Sequence, residues 1–336
     1  MSPSNSTLTS GSEAVSALRI HGPAPAPSAE LWRRRLAHEY EADNPRWDWL
    51  NDGERRNTCV LNKWVVTAGL WGLGLRKRAL ANANAPRLRR LEFAFDNLPA
   101  AFDGWRVLHV SDLHFGQEPG GQQPSFAERI RDLLAGVEAE LCVLTGDFRR
   151  ADFGPVDHAV RGMTTVLEGI DVPHGIYGIL GNHDSGAVVE PYEAMGITML
   201  INQHTALELA GQRLWIAGVD DRHEYRCDDF ERACGEIPPH AFLLMLAHSP
   251  ETMREAAQYG ADLYLCGHSH GGQICLPGGW PVLHNSRGVS RRYARGVWTY
   301  GAMQGFTTNG IGTTNVHARL NCPPEAALIT LRRRRA

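Results

Sequence analysis

The feature that most constrains the fold is a series of short apolar runs after residue 104, each followed directly by polar residues. Short apolar runs bounded by turn-forming residues are typical of buried β-strands, whereas longer periodic stretches favour helices. The first three predicted strands are Trp105–Ser111, Leu141–Thr145 and Gly175–Leu180, and the predicted helices between them are Ser125–Ala139 and Val156–Gly169. This alternation predicts parallel strands joined by right-handed crossovers.

A second group of elements follows on the C-terminal side. The predicted elements are a hairpin at Ala206–Val219, strands at Phe242–Leu246, Asp262–Cys266 and Glu325–Arg332, and a helix at Glu251–Tyr259. The sequence therefore predicts an α/β protein with two sheets whose strand ends meet at one rim.

Ligand-type side chains stand immediately after five of these strands. They are Asp112 and His114 after the first strand, Asp147 after the second, Asn182, His183 and Asp184 after the third, His248 after the fourth, and His268 and His270 after the fifth. In open α/β sheets, ligands bind in the crevice beyond the carboxyl ends of the strands. We therefore expect five separate strand ends to deliver acidic, imidazole and amide side chains to one place.

These residue types predict a site for divalent metal ions. Carboxylate, imidazole and amide oxygen without a thiolate suit Mn, Fe, Zn or Mg. Two ligands at positions i and i+2 of an extended segment point to the same side, so each Asp-x-His or His-x-His pair can hold one ion. The carboxylate of Asp147 can bridge two ions about 3.5–4 Å apart. Glycines before Asp147, Asn182 and His268 permit sharp turns.

Each piece has a simpler interpretation when taken alone. A lone aspartate after a strand, such as Asp112 or Asp147, is most often a turn or helix cap. A single buried histidine such as His248 is usually a core residue, and His-x-His is only moderately specific for metal. These simple interpretations would have to hold independently at five strand ends, so the conjunction favours a metal site.

The same residues resemble a known family signature. Asp112-Leu113-His114, Gly146-Asp147, Gly181-Asn182-His183-Asp184, His248 and Gly267-His268-Ser269-His270 together resemble the full signature of the calcineurin-like metallophosphoesterase superfamily. The resemblance implies a four-layer α/β/β/α double β-sandwich, the metallophosphoesterase fold. It also implies two divalent metal ions as cofactors.

The resemblance further implies a role for each position. The ions would be held by two sets of ligands: Asp112, His114 and His270 on one ion, and Asn182, His248 and His268 on the other. Asp147 would bridge the two ions. His183 would contact a phosphoryl oxygen or protonate the leaving group, and Asp184 would orient it. The implied reaction is in-line attack on phosphorus by a water or hydroxide that bridges the ions.

Other segments resemble the bacterial YaeI/YkuE-like branch of this superfamily. They are Gly218-Val219-Asp220-Asp221, Gly271-Gly272-Gln273-Ile274, Gly310-Ile311-Gly312-Thr313 and the run from Arg319 to Glu325. Members of that branch often have a membrane-associated N-terminus, and relatives include enzymes that cleave the pyrophosphate bond of a lipid A precursor. This chain departs from the branch in its long N-terminal region and in lacking a clear signal or spanning helix.

The main functional hypothesis is a metal-dependent phosphoesterase that cleaves a phosphodiester, pyrophosphate or phosphomonoester bond, with a lipid-linked substrate as one option. The alternatives are a soluble phosphomonoesterase or protein phosphatase-like enzyme, and a non-catalytic scaffold of the same fold. A scaffold is disfavoured because no ligand position is missing. Nucleic acid is not expected as a partner, because the formal net charge is -3 and no basic stripe with interleaved aromatic residues is visible.

The N-terminal region is predicted to lie outside a catalytic domain at residues 91–336. Residues 1–60 are predicted to be largely disordered or helical. Residues 61–90 are predicted to hold a membrane-surface helix and a basic linker, because the uncharged run Trp64–Leu75 is followed by Arg76-Lys77-Arg78, Arg87, Arg89 and Arg90. This run is too short to span a hydrocarbon core of about 30 Å. It predicts either a helix packed on the catalytic domain or peripheral membrane contact through residues 64–78.

The cysteines bear on localisation. The seven cysteines include no C-x-x-C pair, which predicts buried thiols in a reducing compartment rather than disulfides. Residues 1–12 lack a charged segment followed by an apolar core, so no cleavable secretory signal is expected. We therefore expect a cytoplasmic protein, with a peripheral position on the cytoplasmic membrane as the alternative.

Overall fold

The computed structural model describes residues 19–21, 29–43, 64–116, 125–150, 155–282, 285–314 and 316–334. The strands are β1 Arg19–His21, β2 Arg87–Phe95, β3 Arg106–Val110, β4 Leu141–Leu144, β5 Ile176–Gly178, β6 Ile197–Met199, β7 Gln203–Leu209, β8 Gln212–Gly218, β9 Leu243–Leu246, β10 Leu263–Cys266, β11 Cys275–Leu276, β12 Trp280–Pro281, β13 Gly296–Tyr300, β14 Met303–Thr307 and β15 Glu325–Arg333. The helices are α1 Ala29–Asp43, α2 at residues 64–72, α3 Arg76–Ala83, α4 Phe126–Leu134, α5 Asp157–Leu167, α6 Val189–Ala194, α7 Phe230–Cys234 and α8 Met253–Gln258.

Two large sheets form the centre of the molecule. One has six strands in the order β2-β15-β3-β4-β5-β6, and the other has seven in the order β1-β7-β8-β9-β10-β14-β13. The neighbours β3, β4, β5 and β6 are parallel, as are β8, β9 and β10. The parallel pairing predicted for the first three strands is confirmed.

The two sheets pack face to face around a central apolar core. Val143 and Tyr177 of the six-stranded sheet meet Leu244 and Leu265 of the seven-stranded sheet there. A second core lies between the six-stranded sheet and helices α4, α5 and α6, and a third lies between the other sheet and helices α7 and α8. The α/β/β/α sandwich implied by the sequence is therefore confirmed.

Helix α4 shows why the local sequence forms a helix and where it ends. The hydroxyl of Ser125 accepts from the backbone N–H of Glu128, and the Glu128 carboxylate accepts from the Ser125 N–H, which makes a capping box. Ala127, Ile130 and Leu134 form its buried face. The helix ends before Gly136, which has a φ of 74°. It is therefore shorter than the predicted 125–139.

The N-terminal region contributes to the same body as the two sheets. Strand β1 pairs antiparallel with β7, and Trp32 of α1 packs against the core beside α6. Strand β2 pairs parallel with β15 along its whole length, starting at Arg87. The predicted basic linker therefore ends before Arg87, and residue 91 does not mark the start of the packed structure. The predictions for residues 1–18, 22–28 and 44–63 lie outside the described residues.

Helix α2 is half packed and half exposed. Leu70 is buried against Ala79, Ala318 and Leu320, which gives α2 and α3 a small core of their own. On its other face, Trp64 and Trp71 are 70% and 66% exposed, and Leu73 beyond its end is 74% exposed. No helix among the described residues is both long and apolar enough to cross a membrane. The packed interpretation therefore holds for the face that carries Leu70, and membrane contact through the exposed face stays a prediction.

The cysteines in the described part of the chain are buried and carry free thiols, as the sequence predicted.

Candidate metal centre

The predicted ligands meet at the carboxyl ends of strands from both sheets. Asp112 and His114 follow β3, Asp147 follows β4 and Asn182 follows β5 in the six-stranded sheet. His248 follows β9, and His268 and His270 follow β10, in the seven-stranded sheet. All seven side chains are buried. The two halves of the constellation therefore face each other across the interface between the sheets.

The first group of ligand atoms comes from Asp112, His114, Asp147 and His270, and all four lie within 4.8 Å of one another. His114 Nε2 is 2.9 Å from His270 Nε2 and 3.5 Å from Asp147 Oδ2. His270 Nε2 is 3.4 Å from Asp112 Oδ1. Two imidazoles and two carboxylates thus converge on one point.

The second group comes from Asp147, His248 and His268, again within 4.8 Å. The amide oxygen of Asn182 belongs with them, because it lies 3.1 Å from His248 Nε2 and 2.7 Å from His268 Nδ1. Asp147 is common to both groups, since its Oδ2 is 3.2 Å from His248 Nε2 and 3.5 Å from His114 Nε2. One carboxylate therefore links the two groups.

The hydrogen bonds behind the imidazoles show that the donor set fits cations. His114 Nδ1 donates to the Arg149 carbonyl at 3.1 Å, and His248 Nδ1 donates to the Thr145 carbonyl at 2.7 Å. In a neutral imidazole, such a bond leaves the lone pair on Nε2, the form that binds a metal. His248 Nε2 then faces only acceptor oxygens of Asn182 and Asp147. A cation between these lone pairs would relieve their repulsion.

The pKa values of the group follow from burial and mutual charge. Burial lowers the pKa of His114 to about 3 and places those of His268 and His270 well below their ordinary value, which favours the neutral ligand form. Burial also opposes a charge on His248, but the carboxylates of Asp147 and Asp112 outweigh it and raise the pKa of His248 to about 10. Without a metal ion, a proton on His248 thus balances the negative charge of the two carboxylates.

The backbone at the site is not extended, so the predicted i, i+2 geometry is wrong. Asp112, His114, Asp147, His268 and His270 have φ values between 49° and 67°. Non-glycine residues rarely adopt this conformation, at a cost of about 1–3 kcal/mol each, and it is concentrated at functional sites. Asp112 and His114 do share a ligand group, but His268 and His270 belong to different groups.

Two glycines are required where the loops after β4 and β5 touch. Gly146 has a φ of 83°, so it provides the predicted sharp turn before Asp147. Gly181 is needed for a different reason, because a Cβ at this position would collide with the Asp147 carboxylate. The close approach brings Asn182 beside Asp147.

His183 and Asp184 lie beside the ligands. The side chain of His183 is 19% exposed, and its Nε2 is 3.9 Å from Asp147 Oδ2. The carboxylate of Asp184 accepts hydrogen bonds from the backbone N–H groups of Asp147, Phe148, Arg149 and Gly181. Asp184 thus ties the loops after β4 and β5 together, and its role in orienting His183 stays a prediction.

Sequence reasoning missed His223 and Glu251. His223 Nδ1 is 2.7 Å from Glu251 Oε1, and the His223 ring centroid is 4.2 Å from that of His268. Asp221 holds this turn by accepting from the N–H groups of His223, Glu224 and Tyr225. Nothing in the local sequence distinguishes His223, because its neighbour His268 lies on a different strand end.

Arg319 is fully buried and lies behind one of the predicted ligands. Its guanidinium donates to the carbonyls of Asn309, Gly310 and Gly312, and its Nη2 is 3.3 Å from His270 Nδ1. Arg319 therefore braces the loop after β14 against His270.

Comparison with known proteins gives consistent matches. Residues 106–272, which contain every predicted ligand, match the family model of the calcineurin-like phosphoesterases. The chain is 27% identical over 244 residues to the uncharacterized metallophosphoesterase YkuE of Bacillus subtilis (strain 168), covering 70% of this chain and 82% of YkuE. It is 28% identical over 253 residues to the phosphodiesterase YaeI of Escherichia coli (strain K12), covering 72% of this chain and 86% of YaeI.

Proposed function

Because this chain belongs to the calcineurin-like phosphoesterase family, in its YaeI/YkuE-like branch, we propose that it hydrolyses phosphoric esters with two divalent metal ions. The observation that carries the proposal is the position of Asp147, whose carboxylate belongs to two adjacent ligand groups. The family uses divalent metals, and a carboxylate shared between two ligand groups is typical of two-metal hydrolases.

The proposed ligand sets follow the two groups. Asp112, His114 and His270 hold one ion, and Asn182, His248 and His268 hold the other, while Asp147 contacts both. When bound, the two ions supply positive charge to the phosphoryl oxygens and acidify an attacking water. The carbonyls of Arg149 and Thr145 keep His114 and His248 in the ligand tautomer.

His183 is the residue proposed to act on the substrate. Its side chain is 19% exposed, whereas the imidazoles of His114, His248 and His270 are at most 4% exposed. Its backbone N–H donates to Asp147 Oδ1 at 2.9 Å, which fixes it at the edge of the ligand groups. From there its ring binds a phosphoryl oxygen or donates a proton to the leaving oxygen, a role worth roughly 10²–10⁴-fold in rate.

The proposed substrate is a phosphodiester or pyrophosphate carried on a lipid, met at the surface of the cytoplasmic membrane. Exposed apolar side chains support this on two neighbouring elements: Trp64 and Trp71 on α2, and Leu276 and Trp280 on the β11–β12 hairpin. The two elements adjoin because Ile274, next to β11, packs against the core of α2 and α3. Arg76, Lys77 and Arg78 add the positive charge that anionic headgroups attract.

The test compares hydrolysis of bis(p-nitrophenyl) phosphate and p-nitrophenyl phosphate by the full chain, with Mn²⁺ and after chelation. We expect metal-dependent hydrolysis with a preference for the diester. The Asp147→Asn variant should lose this activity, because one carboxylate serves both ions. Full activity of that variant, or activity that survives chelation, would refute the two-metal site. Preference for the monoester would favour a phosphomonoesterase, and metal binding without turnover of either ester would favour a scaffold.

A further inference from the structure

Helix α1 is docked on the loop that carries Asn182 and His183. The loop comprises residues 181–186, between β5 and α6. Trp32, Arg35 and Glu39 lie at helical spacing on one face of α1, and all three contact this loop. Helix α1 lies outside residues 106–272, the part of the chain that matches the family model. The contact is therefore an addition to the matched region.

Arg35 binds the backbone on both sides of Asn182 and His183. Its guanidinium donates to the Asp184 carbonyl at 2.7 Å and to the Gly181 carbonyl at 3.4 Å. These carbonyls flank Asn182 and His183 directly. Arg35 also pairs with Asp220, which follows β8, and its guanidinium carbon lies 4.1 Å from the centre of the Tyr225 ring. One side chain thus fixes the loop after β5 against the loop after β8.

Glu39 holds the far end of the same loop. Its carboxylate accepts from the Ser185 hydroxyl and from the Gly186 N–H, both at 2.8 Å. It also pairs with Arg35 at 3.0 Å, so the two residues act as one unit. Trp32 packs closely against Gly186: a Cβ atom added at Gly186 would lie 2.8 Å from the Trp32 ring. The loop is therefore held at its start, middle and end.

The burial of Arg35 argues against a chance surface contact. Its side chain is 0% exposed, and a buried guanidinium is retained only where its charge and donors are satisfied. The carboxylates of Asp220 and Glu39 balance the charge of Arg35, and the carbonyls of Gly181 and Asp184 accept hydrogen bonds from its guanidinium. Guanidinium geometry matters here, because a lysine ammonium cannot reach separated acceptors in one plane.

We propose that α1 is a positioning element of the active site, in which Arg35 and Glu39 set the place of the Asn182 amide and the His183 imidazole through the loop 181–186. The proposal rests on the proposed function for its effect on catalysis, since Asn182 is a proposed ligand and His183 a proposed substrate contact. Arg35 and Glu39 bind the backbone of the loop and the Ser185 hydroxyl. They act through the loop, in the way that outer contacts orient metal ligands.

The test uses two full-length variants. Arg35→Met combined with Asp220→Asn removes Arg35 and one of its two acidic partners, while Glu39, the other partner, keeps its hydrogen bonds from Ser185 and Gly186. Arg35→Lys keeps the charge but loses the planar fork. Arg33→Met is the matched control, because Arg33 is exposed on the same helix. For each protein, Mn²⁺ binding is followed by titration calorimetry, and amide hydrogen exchange of residues 181–186 is measured without metal.

We expect the double variant and Arg35→Lys to bind one of two Mn²⁺ ions about 10- to 100-fold more weakly, with faster exchange of the loop, and the control to match the unmodified protein. Unchanged affinity for both ions, with only a lower melting temperature, would mean that α1 is merely structural and would overturn the proposal. The exchange measurement needs neither metal nor turnover. If the protein does not hydrolyse phosphoesters, the proposed function is refuted, but the exchange measurement still tests whether α1 positions the loop.

Discussion

At the scale of single residues, the site is set by what lies behind each ligand. The carbonyls of Arg149 and Thr145 accept from His114 and His248, and the four N–H groups around the Asp184 carboxylate fix the two loops beneath Asp147. These contacts restrict the orientations of the candidate ligand side chains. Such pre-organisation is what a metal site needs, because ligands that are already oriented lose little entropy on binding.

We predict that His183→Asn lowers kcat by at least about 10²-fold while two metal ions stay bound, because His183 is proposed to act on the substrate and not as a ligand. Metal content by elemental analysis and kcat on the diester are measured on the same sample. His158→Asn, at an exposed position on α5, serves as the control. Loss of an ion from the His183 variant would instead make His183 a ligand.

The buried His109 predicts a loss of stability in acid. It lies in β3 against Phe306, with Nε2 2.8 Å from the Thr145 hydroxyl. Burial lowers its pKa from 6.5 to about 3, so between these values the unfolded chain binds a proton that the folded one does not. The free energy of unfolding must then fall as pH falls from 6.5 towards 3, by up to about 1.4 kcal/mol per pH unit from this residue.

Urea unfolding of the metal-free protein between pH 7 and 4.5 measures this effect. In His109→Phe, the free energy of unfolding should fall less steeply with decreasing pH, by up to about 1.4 kcal/mol per pH unit. The titrating imidazole is gone in this variant, while the aromatic contact with Phe306 is kept. Identical slopes for the two proteins would show that His109 does not titrate on unfolding.

At the scale of elements, strands with a continuous apolar run were found from sequence and others were not. Strands β4, β9 and β10 are four residues long, apolar and wholly buried, so their composition identifies them, and β3 is apolar except for Arg106 and His109. Strand β2 reads RLRRLEFAF and is only partly buried, so its arginines resemble a linker. It becomes a strand because β15 offers it nine consecutive partners. Tertiary pairing thus overrides a weak local pattern.

The exposed face of α2 predicts binding to anionic vesicles. Replacing both Trp64 and Trp71 by Gln should weaken binding of the full chain to phosphatidylglycerol vesicles about 10²- to 10⁴-fold, because burial of each large apolar side chain contributes about 1.5–3 kcal/mol. Tyr40→Gln is the matched control, since Tyr40 on α1 is also exposed, at 71%. Equal binding of the three proteins, or none by the unmodified chain, would remove the support for a membrane-surface substrate.

At the scale of the whole molecule, the site lies between the two sheets. Asp112, Asp147 and Asn182 come from the six-stranded sheet, and His248 and His268 come from the other. The groups meet only when the central core between the sheets has formed. Metal held at the proposed site would therefore link the two halves of the fold, so metal binding and stability should depend on each other.

We predict that chelation lowers the melting temperature by about 5–10 °C. A ligand present at 100 times its Kd stabilises the folded state by about 2.7 kcal/mol. The melting temperature of a domain of this size changes by about 2–4 °C for each kcal/mol of stability. Differential scanning calorimetry with Mn²⁺ and with EDTA measures the shift. The same comparison with Asp147→Asn should give a smaller difference, and an equal shift in that variant would place the stabilising ion elsewhere.

The candidate site residues and the strands that present them were predictable from the sequence. Apolar runs, turn glycines and the residues that follow them are local features, and hydrophobic periodicity and turn chemistry act within a few residues. The family signature then added the roles of these positions. That is why the α/β/β/α sandwich was available from the sequence, together with Asp112, Asp147 and His270 as candidate ligands.

The contacts between distant segments were not predictable from the sequence and were found in the folded structure. Tertiary packing placed His223 against His268, and it docked Arg35 on the loop of His183, 146 residues or more further along the chain. No local pattern encodes such contacts, because they depend on how the packed sheets align their strand ends and on which buried charges find partners there.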